Sequence, residues 1–161
     1  MKTFSIQILL LALLLAGCKT NTEPKNFNLV FRIESLSAYK ISMEIKDDKT
    51  YSINQQNKYF DSFAGKARPN TAQGRLTDGE FAELTNLLAQ SPLFKMKDNY
   101  GFDEKNSPND PYDGLIYYLT YTEGDKTKFI TIQPNGAHSY PGKFPQLIKF
   151  LSDYTSRHLQ K

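Results

Sequence analysis

The sequence predicts a two-layer α+β domain: an antiparallel β-sheet with two helices packed on one face. Three observations predict it. Apolar and polar residues alternate strictly over several short stretches, the period of half-buried strands. Turn residues stand between successive stretches, as antiparallel hairpins require. Two further stretches carry apolar residues at helical spacing behind recognisable start signals. An amphipathic helix and a one-sided sheet each need a partner for the apolar face, and stacking them satisfies both.

The elements follow in order. Phe27, Leu29, Phe31 and Ile33 alternate with Asn28, Val30, Arg32 and Glu34, and Tyr39, Ile41, Met43 and Ile45 alternate with Lys40, Ser42, Glu44 and Lys46. One apolar and one polar face make these antiparallel strands. Asp47-Asp48-Lys49 is a turn, and Tyr51 and Ile53 resume the alternation to complete a hairpin. Tyr59 to Phe63 reads as a further strand, and 65–74 (GKARPNTAQG) reads as a loop.

The best-marked helix follows. Thr77 fits the N-cap and Glu80 the third helical position, a capping box in which each side chain accepts from the other's backbone amide. Leu76 and Phe81 are spaced for a hydrophobic staple. Phe81, Leu84, Leu87 and Leu88 form the buried stripe, Ser91-Pro92 ends the helix, and Leu93-Phe94 is expected to tuck into the core. Residues 95–114 are rich in Asp, Asn, Pro and Gly and read as irregular. Leu115 to Tyr121, apolar on both sides, reads as an interior strand, turned by Glu123-Gly124-Asp125 into a partner over Thr127–Ile132. After a loop over 133–142, Pro145 suits the first turn of a closing helix that buries Leu147, Ile148, Leu151 and Tyr154.

The amino end has a different character. Lys2 precedes the apolar run Phe4–Leu15, then come Ala16, Gly17 and the sole cysteine, Cys18. A charged start, a short apolar segment and small residues form a secretory leader. Twelve apolar-run residues reach about 18 Å as a helix, against about 30 Å for a bilayer core. The Leu15-Ala16-Gly17-Cys18 ending resembles the lipobox of bacterial lipoproteins. That resemblance implies cleavage between Gly17 and Cys18 and covalent diacylglycerol and fatty acyl groups on Cys18. The domain boundaries are then 1–17 for the signal peptide, 18–26 for the lipidated cysteine and a flexible polar tether (KTNTEPKN after Cys18), and 27–161 for one globular domain. In enteric bacteria an Asp after the acylated cysteine retains a lipoprotein at the inner membrane. Lys19 stands there instead, so this likeness implies the periplasmic side of the outer membrane.

With Lys2 of the leader set aside, the chain holds 19 Lys+Arg against 17 Asp+Glu, interspersed rather than clustered. That argues against a nucleic-acid partner, which would need a basic stripe. With one cysteine there is no intrachain disulfide and no Cys-ligated zinc site. Eleven Phe and ten Tyr with no Trp give aromatic packing a large share of the core.

From Phe31 to Tyr154 the chain also resembles the small lipoproteins of Gram-negative bacteria built around a domain of unknown function. The shared features are the opening hairpin, the Thr77-Asp78-Gly79-Glu80-Phe81 helix start, the Pro92-Leu93-Phe94 exit, the Asp98-Asn99-Tyr100 loop, two strands and a closing helix after a proline. The link between the first two strands in that family often carries two cysteines. Here it reads Ser35-Leu36-Ser37-Ala38, so no role of that pair carries over.

Candidate chemistry concentrates in two loops. The first holds Tyr100, Asp103, Asp110, Tyr112 and Asp113, and the second holds His138 and Tyr140. Clustered carboxylates and amides, with Asp98 and Glu104 among them, supply the oxygen ligands calcium wants. The spacing of a calcium loop is absent, however, and no metal site is assigned. Ser139 beside His138 does not make a catalytic pair, because such pairs are made by folding. His158 sits in the last helical turn, where a cation suits the helix dipole. Lys95, Lys97 and Lys105 would suit anionic head groups, although acids intervene. The tyrosines at 112, 117, 118, 121 and 140 suit either sheet packing or an aromatic binding surface. The expectation is a membrane-tethered, non-catalytic module, without cofactor, that binds an envelope protein or polymer. A small-ligand or calcium-binding periplasmic domain and a hydrolase stand as the alternatives.

Overall fold

Alternation in the sequence becomes a sheet with one buried and one open face. The computed structural model describes residues 24–35, 39–57, 70–101, 114–133 and 139–159. The strands are β1 (Phe27–Ser35), β2 (Tyr39–Lys46), β3 (Thr50–Asn57), β4 (Asn70–Arg75), β5 (Asn99–Tyr100), β6 (Leu115–Glu123) and β7 (Lys126–Ile132). Helix α1 (Asp78–Ala89) and a 3₁₀ turn (Leu93–Lys95) separate β4 from β5, and helix α2 (Phe144–Leu159) closes the domain. The sheet order is β4-β3-β2-β1-β6-β7-β5. Every neighbouring pair is antiparallel except β5 with β7. The fold is thus the expected α+β class.

Phe27, Leu29, Phe31 and Ile33 of β1 are buried, and Met43, Ile45, Ile53, Leu119, Tyr121, Ile130 and Ile132 join them from the neighbouring strands. Leu84 and Leu88 of α1 and Leu147, Leu151 and Tyr154 of α2 cover this face. Burying one such side chain contributes about 1.5–3 kcal/mol, so the layer is the main source of stability. The helices run antiparallel, with Glu80 near Arg157 at one end and Leu87 sharing a groove with Gln146 at the other. The opposite sheet face carries a polar row in register, Asn54, Ser42, Arg32, Tyr118 and Thr131. No helix among the described residues is long and apolar enough to cross a membrane.

Helix α1 begins as its sequence requires. The Thr77 amide and hydroxyl both donate to the Glu80 carboxylate at 2.9 Å, and the Glu80 amide donates to the Thr77 hydroxyl at 3.2 Å. Leu76 is buried ahead of it, and Phe81 stacks on Phe27 with centroids 6.1 Å apart.

Four expectations need correction or fall elsewhere. The stretch 65–74 is not all loop, because Asn70–Arg75 pairs with β3 as β4. This strand is mostly exposed, so backbone pairing sustains it and no apolar period betrays it. The stretch 95–114 contains β5, which lies parallel to β7 and is too short to show a period. Leu93 is buried but Phe94 is 40% exposed, since the 3₁₀ turn points successive side chains in different directions. The expected strand at Tyr59–Phe63 lies outside the described residues.

The topology separates two ends of the sheet. Where β1 begins, the turns are tight. The Asp47 amide donates to the Phe27 carbonyl at 3.1 Å, the Gly124 amide to the Asn26 carbonyl at 3.2 Å and the Leu76 amide to the Lys49 carbonyl at 2.9 Å. Lys49 and Gly124 take the positive φ such turns need. The connections spanning 58–69, 102–113 and 134–138 all leave from and return to the other end, as the ends of β3, β4, β5, β6 and β7 require.

Candidate functional site

The two tyrosines that the sequence places in separate loops meet at the end of the sheet away from the tether. Tyr100 ends β5 opposite Ile132, Ile132 faces Tyr117, and Tyr117 faces Ile33 of β1. Six residue steps separate Ile33 from Phe27, about 20 Å along the sheet. Tyr140 lies in the segment entering α2, and its ring sits 5.0 Å from that of Tyr100. Phe144, in the first turn of α2, completes the group at 5.6 Å from Tyr140 and 6.4 Å from Tyr100. All three pairs are tilted, the arrangement favoured by ring quadrupoles.

Backbone contacts fix this group. The Gln133 amide donates to the Tyr100 carbonyl and the Thr131 amide to the Asp98 carbonyl, both at 2.9 Å, which ties the segment to β7. The Lys97 amide donates to the Tyr100 hydroxyl at 3.3 Å. The Lys143 amide donates to the Gln90 carbonyl at 3.2 Å, so the approach to α2 is held against the end of α1. Gly142 makes that crossing at φ +60, where an added Cβ would stand 2.2 Å from the Gln90 carbonyl oxygen.

Beside the rings lies an apolar cleft of about 180 Å³ lined by Tyr117, Ile132, Tyr140, Phe144, Pro145 and Ile148. Pockets for whole small ligands run to roughly 300 Å³ and above. The cleft is therefore sized for one ring or one apolar side chain of a larger partner. Burial, then the neighbouring Tyr100, pushes the Tyr140 hydroxyl above its ordinary value, so it stays neutral, able both to donate and to accept.

Of the residues singled out in the sequence, Tyr100 and Tyr140 are brought together. Asp103, Asp110, Tyr112, Asp113 and His138, with Gly17 and Cys18, lie outside the described residues. Chain connectivity still roots their two loops here, at Gly101, Gly114, Gln133 and Ser139. Asp98, a described member of the acidic cluster, forms an ion pair with Lys128 of β7. Among the described residues no three metal-ligating side chains cluster. His158 stacks on Tyr154 with centroids 4.1 Å apart, and its Nδ1 lies 2.8 Å from the Tyr154 carbonyl. It packs the end of α2.

The strand tyrosines divide by face. Tyr117 tilts against Phe31 and Tyr121 against Phe27, both inward. Tyr118 faces outward, with the Arg32 guanidinium 5.1 Å from its ring centre. Sequence reasoning missed Phe144, Pro145 and Ile148 as cleft walls. The signal was present: Phe144, Leu147, Ile148 and Leu151 keep one helical stripe, and its first member carries the core to the sheet end.

Two further depressions lie elsewhere. A groove of about 820 Å³ between the helices is lined by charges of both signs, including Glu80, Glu83, Lys149, Asp153 and Arg157. Another of about 310 Å³ runs beneath Pro24, where the tether meets Leu93, Phe94 and Tyr121. No protein-family model and no curated protein matches the chain.

Proposed function

We propose that this chain is an envelope lipoprotein, anchored through acyl groups on Cys18 to the periplasmic side of the outer membrane. Its domain is a binding module for a protein or polymer of the envelope, and it uses no cofactor. The observation that carries the reading is the separation of ends. The tether enters beside tight turns, while the Tyr100, Tyr140 and Phe144 rings and three loop connections share the opposite end. A tethered domain that recognises a partner needs this polarity. Tyr100 and Phe144 are buried in the core and position Tyr140, the half-buried ring of the group that carries a hydroxyl, a kind of side chain much used for such recognition. The filled layer between sheet and helices also favours surface recognition over carriage of an enclosed ligand: Leu29, Leu84, Leu147 and Leu151 are fully buried there.

The test is a crosslinking pull-down of the full-length, acylated protein from its own envelope, with Cys18→Ala and Tyr140→Ala variants alongside. A reproducible partner is expected with the native chain and lost with both variants, while circular dichroism shows Tyr140→Ala still folded. A native chain that captures nothing, or a partner retained equally by both variants, would overturn the reading.

A further inference from the structure

The two large apolar side chains left exposed among the described residues, Phe94 at 40% and Phe129 at 64%, lie toward the β7 side of the sheet. Phe94 packs against Tyr121, which faces Lys128 of β7, whereas Phe129, the next residue along that strand, points to the open sheet face. Pro24, the first described residue, lies in the groove formed by Leu88, Leu93, Phe94, Lys95 and Tyr121. The tether therefore leaves the domain beside Phe94. Lys95 follows it in the chain and lines the same groove with Glu123, and Lys126 is the cross-strand partner of Glu123; both lysines are exposed. Neither lysine has an ion-pair partner among the described residues.

We infer that this corner is a membrane-docking surface, with Phe94 entering the lipid interface and Lys95 and Lys126 lying on the phospholipid head groups. The inference rests on the lipid-anchor reading and names the face that the anchor brings down. Length decides the occupant. Six residue steps separate Cys18 from Pro24, a reach of at most about 21 Å, while a domain of this size is roughly 35 Å across. The tether is thus too short to turn the opposite end toward the bilayer, and the corner that carries it is held at the surface. An exposed aromatic ring with lysines nearby suits that interface, because the ring sits at head-group depth and lysine stems lie along it with their charges in water. The Tyr100 and Tyr140 end then faces away from the membrane.

The absence of Trp makes the test direct. Full-length acylated Phe94→Trp protein is reconstituted into phosphatidylethanolamine–phosphatidylglycerol vesicles whose acyl chains are brominated near the glycerol, and its emission is compared with that on unbrominated vesicles. A parallel Asn54→Trp protein reports the exposed outer face of β3. The acyl mass on Cys18 is measured on the same samples, and circular dichroism confirms that both proteins are folded. Docking gives a blue-shifted, strongly quenched emission from the Phe94→Trp protein and an unquenched signal from the Asn54→Trp protein, and replacing Lys95 and Lys126 by Glu reduces the quenching. Acyl groups present with no quenching of the Phe94→Trp protein, or equal quenching of both proteins, would overturn the docking surface alone. An absent acyl mass would instead sink the anchor and this inference with it.

Discussion

Gly142 shows how a single residue holds the candidate site. The segment from Tyr140 to Phe144 must cross the end of α1, and the Lys143 amide reaches the Gln90 carbonyl only because Gly142 takes a left-handed conformation without a side chain. Gly142→Ala meets both penalties, a positive φ and a Cβ placed 2.2 Å from a backbone oxygen. It should cost about 2 kcal/mol or more, read as a lower denaturation midpoint with unchanged slope. Little of this was legible in the sequence. A glycine after a proline marks a turn but does not name the distant carbonyl that forbids a methyl group there. Tyr100 and Tyr140 could be singled out as loop aromatics, whereas their contact depends on a two-residue strand that no period announces.

Among the elements, α1 tests local coding most sharply, because its capping box and apolar stripe both stood in the sequence and both formed. Thr77→Ala removes the hydroxyl that caps the Glu80 amide and should destabilise the domain by about 1 kcal/mol. Leu84→Ala opens the fully buried layer and should cost about 2–5 kcal/mol, so thermal melts should rank the two variants in that order. The cap also sets an acid response. Burial works to raise the Glu80 carboxyl, but the Thr77 amide and hydroxyl, with Arg157 and His158, hold it below its ordinary 4.5. Lys49 likewise lowers Asp78, and the Thr50 hydroxyl and amide lower Asp48. A carboxyl with a lower pKa folded than unfolded contributes stability above its unfolded value and loses it as pH falls through its folded one. Melting temperature should therefore decline below about pH 4.5. Glu80→Gln keeps an acceptor for the cap but not the charge, so it should lower stability at neutral pH and flatten that decline. β4 marks the limit of such reading, since its NTAQGR sequence is mostly exposed, shows no apolar period and reads as loop.

For the whole molecule, the sheet-and-two-helix architecture was legible because most of its strands and both helices bury one face with a regular period. The polarity of the molecule was not, because it depends on which strand ends lie together. The order with β1 at the centre and β6 beside it gathers the Tyr100–Tyr140–Phe144 rings and the loop connections at one end and the tether at the other. The central claim is that partner recognition occurs at the ring-bearing end. Photo-crosslinking amino acids placed one at a time in the full-length protein, in its native envelope, test it most directly. The positions are Ser139 beside Tyr140, Asn54 on the open sheet face and Asp125 in the turn near the tether, all exposed. A discrete adduct with an envelope protein or polymer from position 139, and none from 54 or 125, is the predicted result. Adducts from 54 or 125 with none from 139 would contradict it.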